Sequence, residues 1–228
     1  MEGRVDIANG FAAIGAGLWL LAPSQPAAFE GAMTRRRRTG WRVPDRAALD
    51  LVELDGPARC ATAERPFLTH IPCAAPIHAV SAKVLVAPAS ARRGAEVVRP
   101  VPLSAKGSFC VTQFDHPGET SNDSTIQRSN DPTIQRPNAW VVMATAARTA
   151  RVQVSEGGTL SVRPGCVVAW TGPRPTGYCP RLRLRDLILP RPPRDLLLHF
   201  HGPCLVWIEG TPAPVLPAPR FPWQRRAA

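Results

Sequence analysis

The sequence predicts an all-β protein, an antiparallel β-sandwich or barrel, and three observations lead to this fold class. Beyond residue 138, apolar and polar residues alternate with a period of two in segments of strand length. Gly and Pro turn signals separate these segments at intervals of about eight to twelve residues. The chain also contains 26 prolines among its 228 residues, which disfavours long helices.

Residues 1–46 are predicted to form a disordered tail. They contain one apolar stretch, 8–23, followed by the arginine run 35–38. The stretch is shorter than the ~20 apolar residues of a membrane-spanning helix, and it lacks the basic segment that begins a signal peptide. We therefore expect a cytoplasmic protein, although this stretch leaves a membrane or export role open. The arginine run is interpreted as solvated disorder.

Residues 47–117 are predicted to form a weakly defined β region, the first half of the sandwich. Apolar runs of strand length occupy residues 49–54, 82–87 and 109–114. Repeated prolines interrupt the region between these runs, so its strands are expected to be short.

Residues 118–138 contain an eight-residue repeat. Residues 121–128 read Ser-Asn-Asp-Ser-Thr-Ile-Gln-Arg, and residues 129–136 repeat them with Pro132 in place of Ser124. The unit is polar with one isoleucine per copy, so stacked copies would bury almost no apolar surface. The repeat is therefore predicted to be a disordered insertion, since each doubling of a surface loop costs only ~0.6 kcal/mol.

Residues 139–210 show the clearest strand pattern and are predicted to form a β domain, followed by a Pro/Arg-rich tail at 211–228. The expected strands are 140–143, 151–155, 159–163, 166–170, 181–187, 196–200 and 204–208. The expected turns are 156–158, 164–165, 171–173 and 201–203. The first turn, Glu-Gly-Gly, is typical of a hairpin.

Two of these segments resemble a known family. Residues 158–170, Gly-Thr-Leu-Ser-Val-Arg-Pro-Gly-Cys-Val-Val-Ala-Trp, are similar to a segment of the altered inheritance of mitochondria protein 24 family, which has many bacterial members. Residues 196–208, Leu-Leu-Leu-His-Phe-His-Gly-Pro-Cys-Leu-Val-Trp-Ile, resemble the family's closing segment. In that segment an apolar strand meets Gly-Pro-Gly and then a second strand, and Cys204 stands here in place of the second glycine.

The resemblance implies a divergent bacterial member with a β-sandwich of the type likened to the tryptophan RNA-binding attenuation protein. It also implies a role that is not enzymatic and that is linked, in mitochondria, to membrane organisation. The N-terminal half resembles the family only faintly, and the insertion lies where the family has ordinary sheet.

Six residues of the resembling segments are predicted to be structural: Pro164, Gly165, Trp170, Gly202, Pro203 and Trp207. Gly202 is expected to take a positive φ and Pro203 to fix the next φ, so that the flanking strands reverse tightly. Trp170 and Trp207 are expected to pack in the core from neighbouring strands rather than to stack on a ligand.

The residues His199, His201 and Cys204 are weak candidate metal ligands. Residues i and i+2 of a strand lie on one face, so the two imidazoles could share an ion. No fourth ligand stands at a readable spacing, and we expect Phe200 to face the core and both histidines to face outward. We therefore expect no bound metal.

Nucleic-acid binding is the alternative function. Only Lys83 and Lys106 are lysines, so arginine supplies nearly all the positive charge behind a formal net charge of +11. Such a composition is typical of GC-rich codon usage, and we interpret most of it as a solvated surface. Arg181, Arg183 and Arg185 share one face of a predicted strand and could follow a phosphate backbone, but aromatic residues for base stacking are missing there.

The sequence carries no enzyme motif: no nucleophile elbow, no phosphate loop after a strand and no paired carboxylates in the C-terminal half. We expect a non-catalytic structural or assembly protein, without a cofactor or a small-molecule substrate. Exposed sheet edges favour self-association, so a homo-oligomer is the expected partner arrangement. The six cysteines have no C-x-x-C spacing and are expected to be free thiols in a reducing compartment.

Overall fold

The computed structural model consists of antiparallel β-structure, as the sequence predicted. It describes residues 5–8, 11–21, 28–38, 49–61, 65, 67–100, 108–115, 140–178 and 195–210. The predicted insertion at 118–138, the predicted strand at 181–187 and the tail at 211–228 lie outside the described residues.

Nineteen strands follow one another along the described chain. The first seven are β1 Val5–Ala8, β2 Phe11–Ile14, β3 Gly17–Leu21, β4 Ala28–Glu30, β5 Met33–Arg38, β6 Asp50–Leu54 and β7 Ala58–Ala61. The next six are β8 Phe67–Pro72, β9 Ile77–Val80, β10 Val84–Pro88, β11 Arg92–Val98, β12 Phe109–Phe114 and β13 Trp140–Thr145. The last six are β14 Thr149–Val154, β15 Thr159–Val162, β16 Val167–Thr171, β17 Thr176–Tyr178, β18 Leu197–His201 and β19 Cys204–Glu209.

These strands form four open antiparallel sheets. Sheet I has the order β1-β2-β7-β4, and sheet II has the order β5-β6-β3-β10-β13-β8. Sheet III has the order β11-β12-β9-β16-β19-β14, and sheet IV has the order β15-β18-β17. Most neighbours in a sheet are not consecutive in sequence, so the chain alternates between sheets as it proceeds.

The sheet orders reveal three units of six strands with the same connectivity: β2–β7, β8–β13 and β14–β19. In every unit the first, third and sixth strands lie in one sheet, and the second, fourth and fifth lie in the next sheet. Neighbouring units share a sheet, because the second strand of one unit pairs with the third strand of the following unit. These two seams are β3 with β10 in sheet II, and β9 with β16 in sheet III.

Three apolar cores separate the four sheets. The first joins sheets I and II and contains Trp19, and the second joins sheets II and III and contains Trp207. The third joins sheets III and IV around Trp170. Trp170 and Trp207 are both buried, and they lie on opposite faces of sheet III.

The prediction of a disordered tail at 1–46 is wrong for the residues that the structure describes. Strands β2 and β3 fall within the apolar stretch 8–23, and Trp19, Leu20 and Leu21 are buried. The arginine run 35–38 lies in strand β5, whose backbone pairs with β6. Within the described ranges, no helix has the length and apolar character needed to cross a membrane.

Two predicted hairpins are arches between sheets. The turn at 156–158 connects β14 of sheet III to β15 of sheet IV, and the turn at 202–203 connects β18 of sheet IV to β19 of sheet III. The strands therefore pair across the two arches, β14 with β19 and β15 with β18. Period-two alternation and a Gly-rich turn predict strand reversal, but they do not reveal the sheet in which the next strand pairs.

The predicted positive φ of Gly202 is also wrong. Among the residues that the structure describes, the glycines with positive φ are Gly17, Gly31, Gly157, Gly172 and Gly210, and the Gly202–Pro203 peptide bond is cis. What requires glycine at position 202 is the contact between the two arches. The Gly202 N–H donates to the Gly158 carbonyl at 3.1 Å, and a β-carbon at position 202 would overlap the Ser155 carbonyl.

The boundary of the predicted β domain at residue 139 does not coincide with the start of a unit either. Strand β13 pairs with β8 and β10 of sheet II, so it completes the second unit rather than opening the third. The third unit begins at β14. The predicted turn at Pro164-Gly165 is confirmed as the start of a 3₁₀ turn, Pro164–Cys166, that leads into β16. A matching 3₁₀ turn, Ser81–Lys83, leads into β10 of the second unit.

We predict that Gly202→Ala lowers the free energy of unfolding by about 2–4 kcal/mol, because the added β-carbon forces the two arches apart. Urea denaturation of the full chain measures the change. Gly165→Ala is the matched control, since nothing lies within 4 Å of a β-carbon at that turn position. Equal stability of the two variants would contradict the contact described here.

Candidate functional site at the seam between the second and third units

The seam between the second and third units carries the two polar clusters that form the best candidate site. Strands β9 and β16 pair here, with Ala79 opposite Ala169, His78 opposite Trp170 and Ile77 opposite Thr171. Each cluster contains side chains from both units, so each of them crosses the seam.

The first cluster surrounds the buried amine of Lys83. Lys83 ends the 3₁₀ turn before β10, and its Nζ donates to the carbonyls of Gly165 at 2.7 Å and Val167 at 2.9 Å. The same Nζ lies 3.1 Å from the Oε2 atom of Glu209 at the end of β19. These three acceptors match the three N–H donors of an ammonium group. Lys83 of the second unit therefore binds three groups of the third.

Burial sets the direction of the lysine's pKa. It lowers the pKa of Lys83 from its usual 10.5, and the nearby Glu209 carboxylate opposes the shift. A lowered lysine pKa is also found in catalytic lysines, but such a lysine must reach a substrate. Here the three acceptors occupy the amine, which favours a structural role for it.

The second cluster contains His78, Glu96 and Arg174 beside the indole of Trp170. The imidazole of His78 stacks on Trp170, with ring centroids 5.1 Å apart and an interplanar angle of 6°. Its Nδ1 atom lies 3.7 Å from Oε1 of Glu96, which is too long for a hydrogen bond. Arg174, from the segment after β16, forms an ion pair with the other carboxylate oxygen of Glu96.

The environment of His78 favours the neutral form of its imidazole. Burial lowers the pKa of His78 from its usual 6.5, and the positive charge of Arg174 lowers it further. A hydrogen bond to the backbone at Gly172 acts in the opposite direction. Three buried atoms of this cluster, His78 Nδ1, Glu96 Oε1 and Trp170 Nε1, have no hydrogen-bond partner among the described residues.

The predicted histidine pair lies on sheet IV, away from this seam. His199 packs edge-on against Tyr178, with ring centroids 4.7 Å apart, and Nδ1 of His201 lies 3.4 Å from the hydroxyl oxygen of Thr159. Phe200 between them is buried in the core, so both histidines belong to the other face of the strand, as predicted. Burial lowers the pKa of His199, and the neighbouring His201 contributes in the same direction.

Cys204 does not share the outward face of the two histidines. It begins β19 in sheet III and is buried in the core between sheets III and IV, which raises the pKa of its thiol. Among the described residues there is no cluster of three or more His, Cys, Asp or Glu side chains that could hold a metal ion.

None of these residues was predicted as a site from the sequence, because the seam forms only in the folded chain. His78 and Glu96 lie on strands β9 and β11, which both pair with β12, and the pairing of β9 with β16 brings Arg174 to them. Lys83 is the residue that the sequence could have indicated. A lysine inside an apolar run of strand length needs hydrogen-bond or ion-pair partners when that run is buried. Residues 181, 183 and 185 lie outside the described residues, so the alternative of a nucleic-acid interface stays a prediction.

We predict that Lys83→Met lowers the free energy of unfolding by about 3 kcal/mol, because it leaves the Glu209 carboxylate and two carbonyls without their donor. Chemical denaturation measures this loss. Glu209→Gln keeps an oxygen acceptor for the amine and is the control, with a smaller expected loss of about 1–2 kcal/mol. A Lys83→Met protein as stable as the wild type would show that the amine does not hold the seam.

The pKa of His78 predicts a loss of stability in acid. Its folded-state pKa lies below the unfolded value, so the unfolded chain binds a proton more readily as the pH falls from about 6.5 towards the folded-state pKa. The free energy of unfolding should therefore decrease over this range in the wild type. The His78→Gln variant should show a weaker decrease.

The NMR titration of the imidazole tests the cause. We expect the His78 midpoint below 6.5, and we expect Arg174→Gln to move it upward, because the substitution removes a positive charge that disfavours protonation. His199→Gln is the control, since His199 lies on sheet IV and its loss should leave the His78 midpoint unchanged. An identical His78 midpoint in the wild type and in Arg174→Gln would contradict the effect assigned to Arg174.

Comparison with known proteins supports the fold alone. No protein-family model matches the sequence, and no curated protein does. Among solved structures, the chain is similar to the crystal structure of protein SPYM3_0169 from Streptococcus pyogenes, with a TM-score of 0.58 and 11% sequence identity. The similarity covers 91% of this chain and 92% of that chain, so the fold described here is shared over nearly the whole length of both.

Proposed function

We propose that this chain is a non-catalytic structural or assembly protein whose working parts are its surfaces and sheet edges. The observation that carries the proposal is the pairing of charged side chains across the seam between the second and third units. Lys83 and Glu209 are bound to each other, and Glu96 is bound to Arg174, in both cases across the seam between two units. Both ion pairs connect the second unit to the third, so the charges serve to hold the two units together.

The state of the histidine and of the thiols also favours this function. A general base must contact the group that it deprotonates, whereas the His78 ring is stacked on Trp170 and only 15% of its side chain is exposed. Burial raises the pKa of the Cys60 thiol to about 11 and that of Cys73 to about 12, which makes both poor nucleophiles at neutral pH.

The resemblance to the altered inheritance of mitochondria protein 24 family points in the same direction. That family implies a role that is not enzymatic and is linked to membrane organisation. For this chain we propose a cytoplasmic assembly protein, and the five described cysteines, all free thiols, fit a reducing compartment.

The test is the size of the particle that contains the protein in cells. An affinity-tagged full chain, produced at its native level, should elute from a sizing column in a discrete complex well above the 24.6 kDa of one chain. Elution at the mass of one chain would contradict the proposal. A parallel sample treated with nuclease separates the alternative, because a complex held by RNA or DNA through an arginine-rich surface would disappear there.

A further inference from the structure

We propose that copies of this chain join head to tail, by pairing strand β15 of one copy with strand β4 of the next. This inference rests on the proposed assembly function and names the partner as a second copy of the chain. It follows from the rule by which the three units join within one chain.

The rule is the same at both internal seams. At the first seam, β3 pairs with β10 through three residue pairs, and at the second seam, β9 pairs with β16 through three residue pairs. In each case the second strand of one unit meets the third strand of the next unit, in antiparallel orientation. Each seam thus completes a sheet of six strands from two units.

The first and last units of the chain carry the two strands that a further seam would need. The second strand of the last unit is β15, and among the described strands only β18 pairs with it, so it forms an edge of sheet IV. The third strand of the first unit is β4, and among the described strands only β7 pairs with it, so it forms an edge of sheet I. Strand β15 has four residues and β4 has three, enough for the three residue pairs of a seam.

The free edge of β15 directs its backbone groups outward at defined residues. The Gly202 N–H donates to the Gly158 carbonyl, so residues 158 and 202 form a hydrogen-bonded pair at the start of the β15–β18 ladder. Antiparallel ladders alternate, so the next pair, Thr159 with His201, and the pair Ser161 with His199 are non-hydrogen-bonded. The N–H and C=O groups of Thr159 and Ser161 therefore point away from β18, towards an added strand.

An open edge of this kind is a template for pairing with another chain. The two edges belong to different surfaces of the molecule, so the contact is heterologous and generates a closed ring or an open filament. Pairing of β4 with β15 of the same chain would instead close the series within one molecule and leave a monomer.

The test is the mass of the purified full chain by light scattering over a range of concentrations. The wild type should give a multiple of 24.6 kDa that dissociates on dilution. Ser161→Pro removes the outward N–H without removing a bond to β18, and it should raise the dissociation constant about tenfold or more. Ser161→Ala is the matched control, because it alters the side chain and keeps the N–H, and its mass should equal that of the wild type.

A second measurement covers the case in which the proline variant does not fold. Hydrogen exchange of the wild type should show protection of the Thr159 and Ser161 amides that is lost on dilution to the monomer. A wild type that is monomeric at every concentration, a Ser161→Pro oligomer as stable as the wild type, or amides that exchange freely in the oligomer would each overturn the inference. A purified monomer whose tagged form still elutes in a large complex from cells would overturn this inference and leave the proposed function standing.

Discussion

The pairing of β9 with β16 is the interaction on which the arrangement of the second and third units depends. It turns three strands of one unit and three of the next into a single sheet, so neither unit leaves an open edge at that position. The ammonium of Lys83 would be costly to bury alone, and its three acceptors, all from the neighbouring unit, offset that cost. The buried charge therefore favours this one register of the two units.

Several strands could be predicted from the sequence because they are half-buried or bounded by turns, such as β12 and β19. Strand β3 of the apolar stretch 8–23 could not, and the reason is physical. Sheet II is covered on both faces, so Trp19, Leu20 and Leu21 are all buried and the period-two signal disappears. A continuous apolar run of that kind cannot be told from a buried helix or a short membrane segment by periodicity alone.

The three-unit repeat could not be predicted from the sequence, for a related reason. Ala87 in β10 and Trp170 in β16 occupy the same position in equivalent strands, and Lys83 and Cys166 both end the 3₁₀ turn before those strands. The repeat lies in the backbone and in the alternation of sheets, while the side chains differ with the neighbours that they contact. The candidate site was equally hidden, because its residues meet only after this topology has formed.

The polar cluster around His78 follows from the way the units cover one another. In the second unit, Ile77 and Ala79 face that unit's own core, so His78 belongs to the outer face of the strand, where water would reach it in an isolated sandwich. The third unit covers this face. Burial then favours the neutral imidazole, and Arg174 of the covering unit pairs with the Glu96 carboxylate. The unpartnered atoms of this cluster are thus explained as outer-face groups enclosed by the joining of two units, without invoking a reaction site.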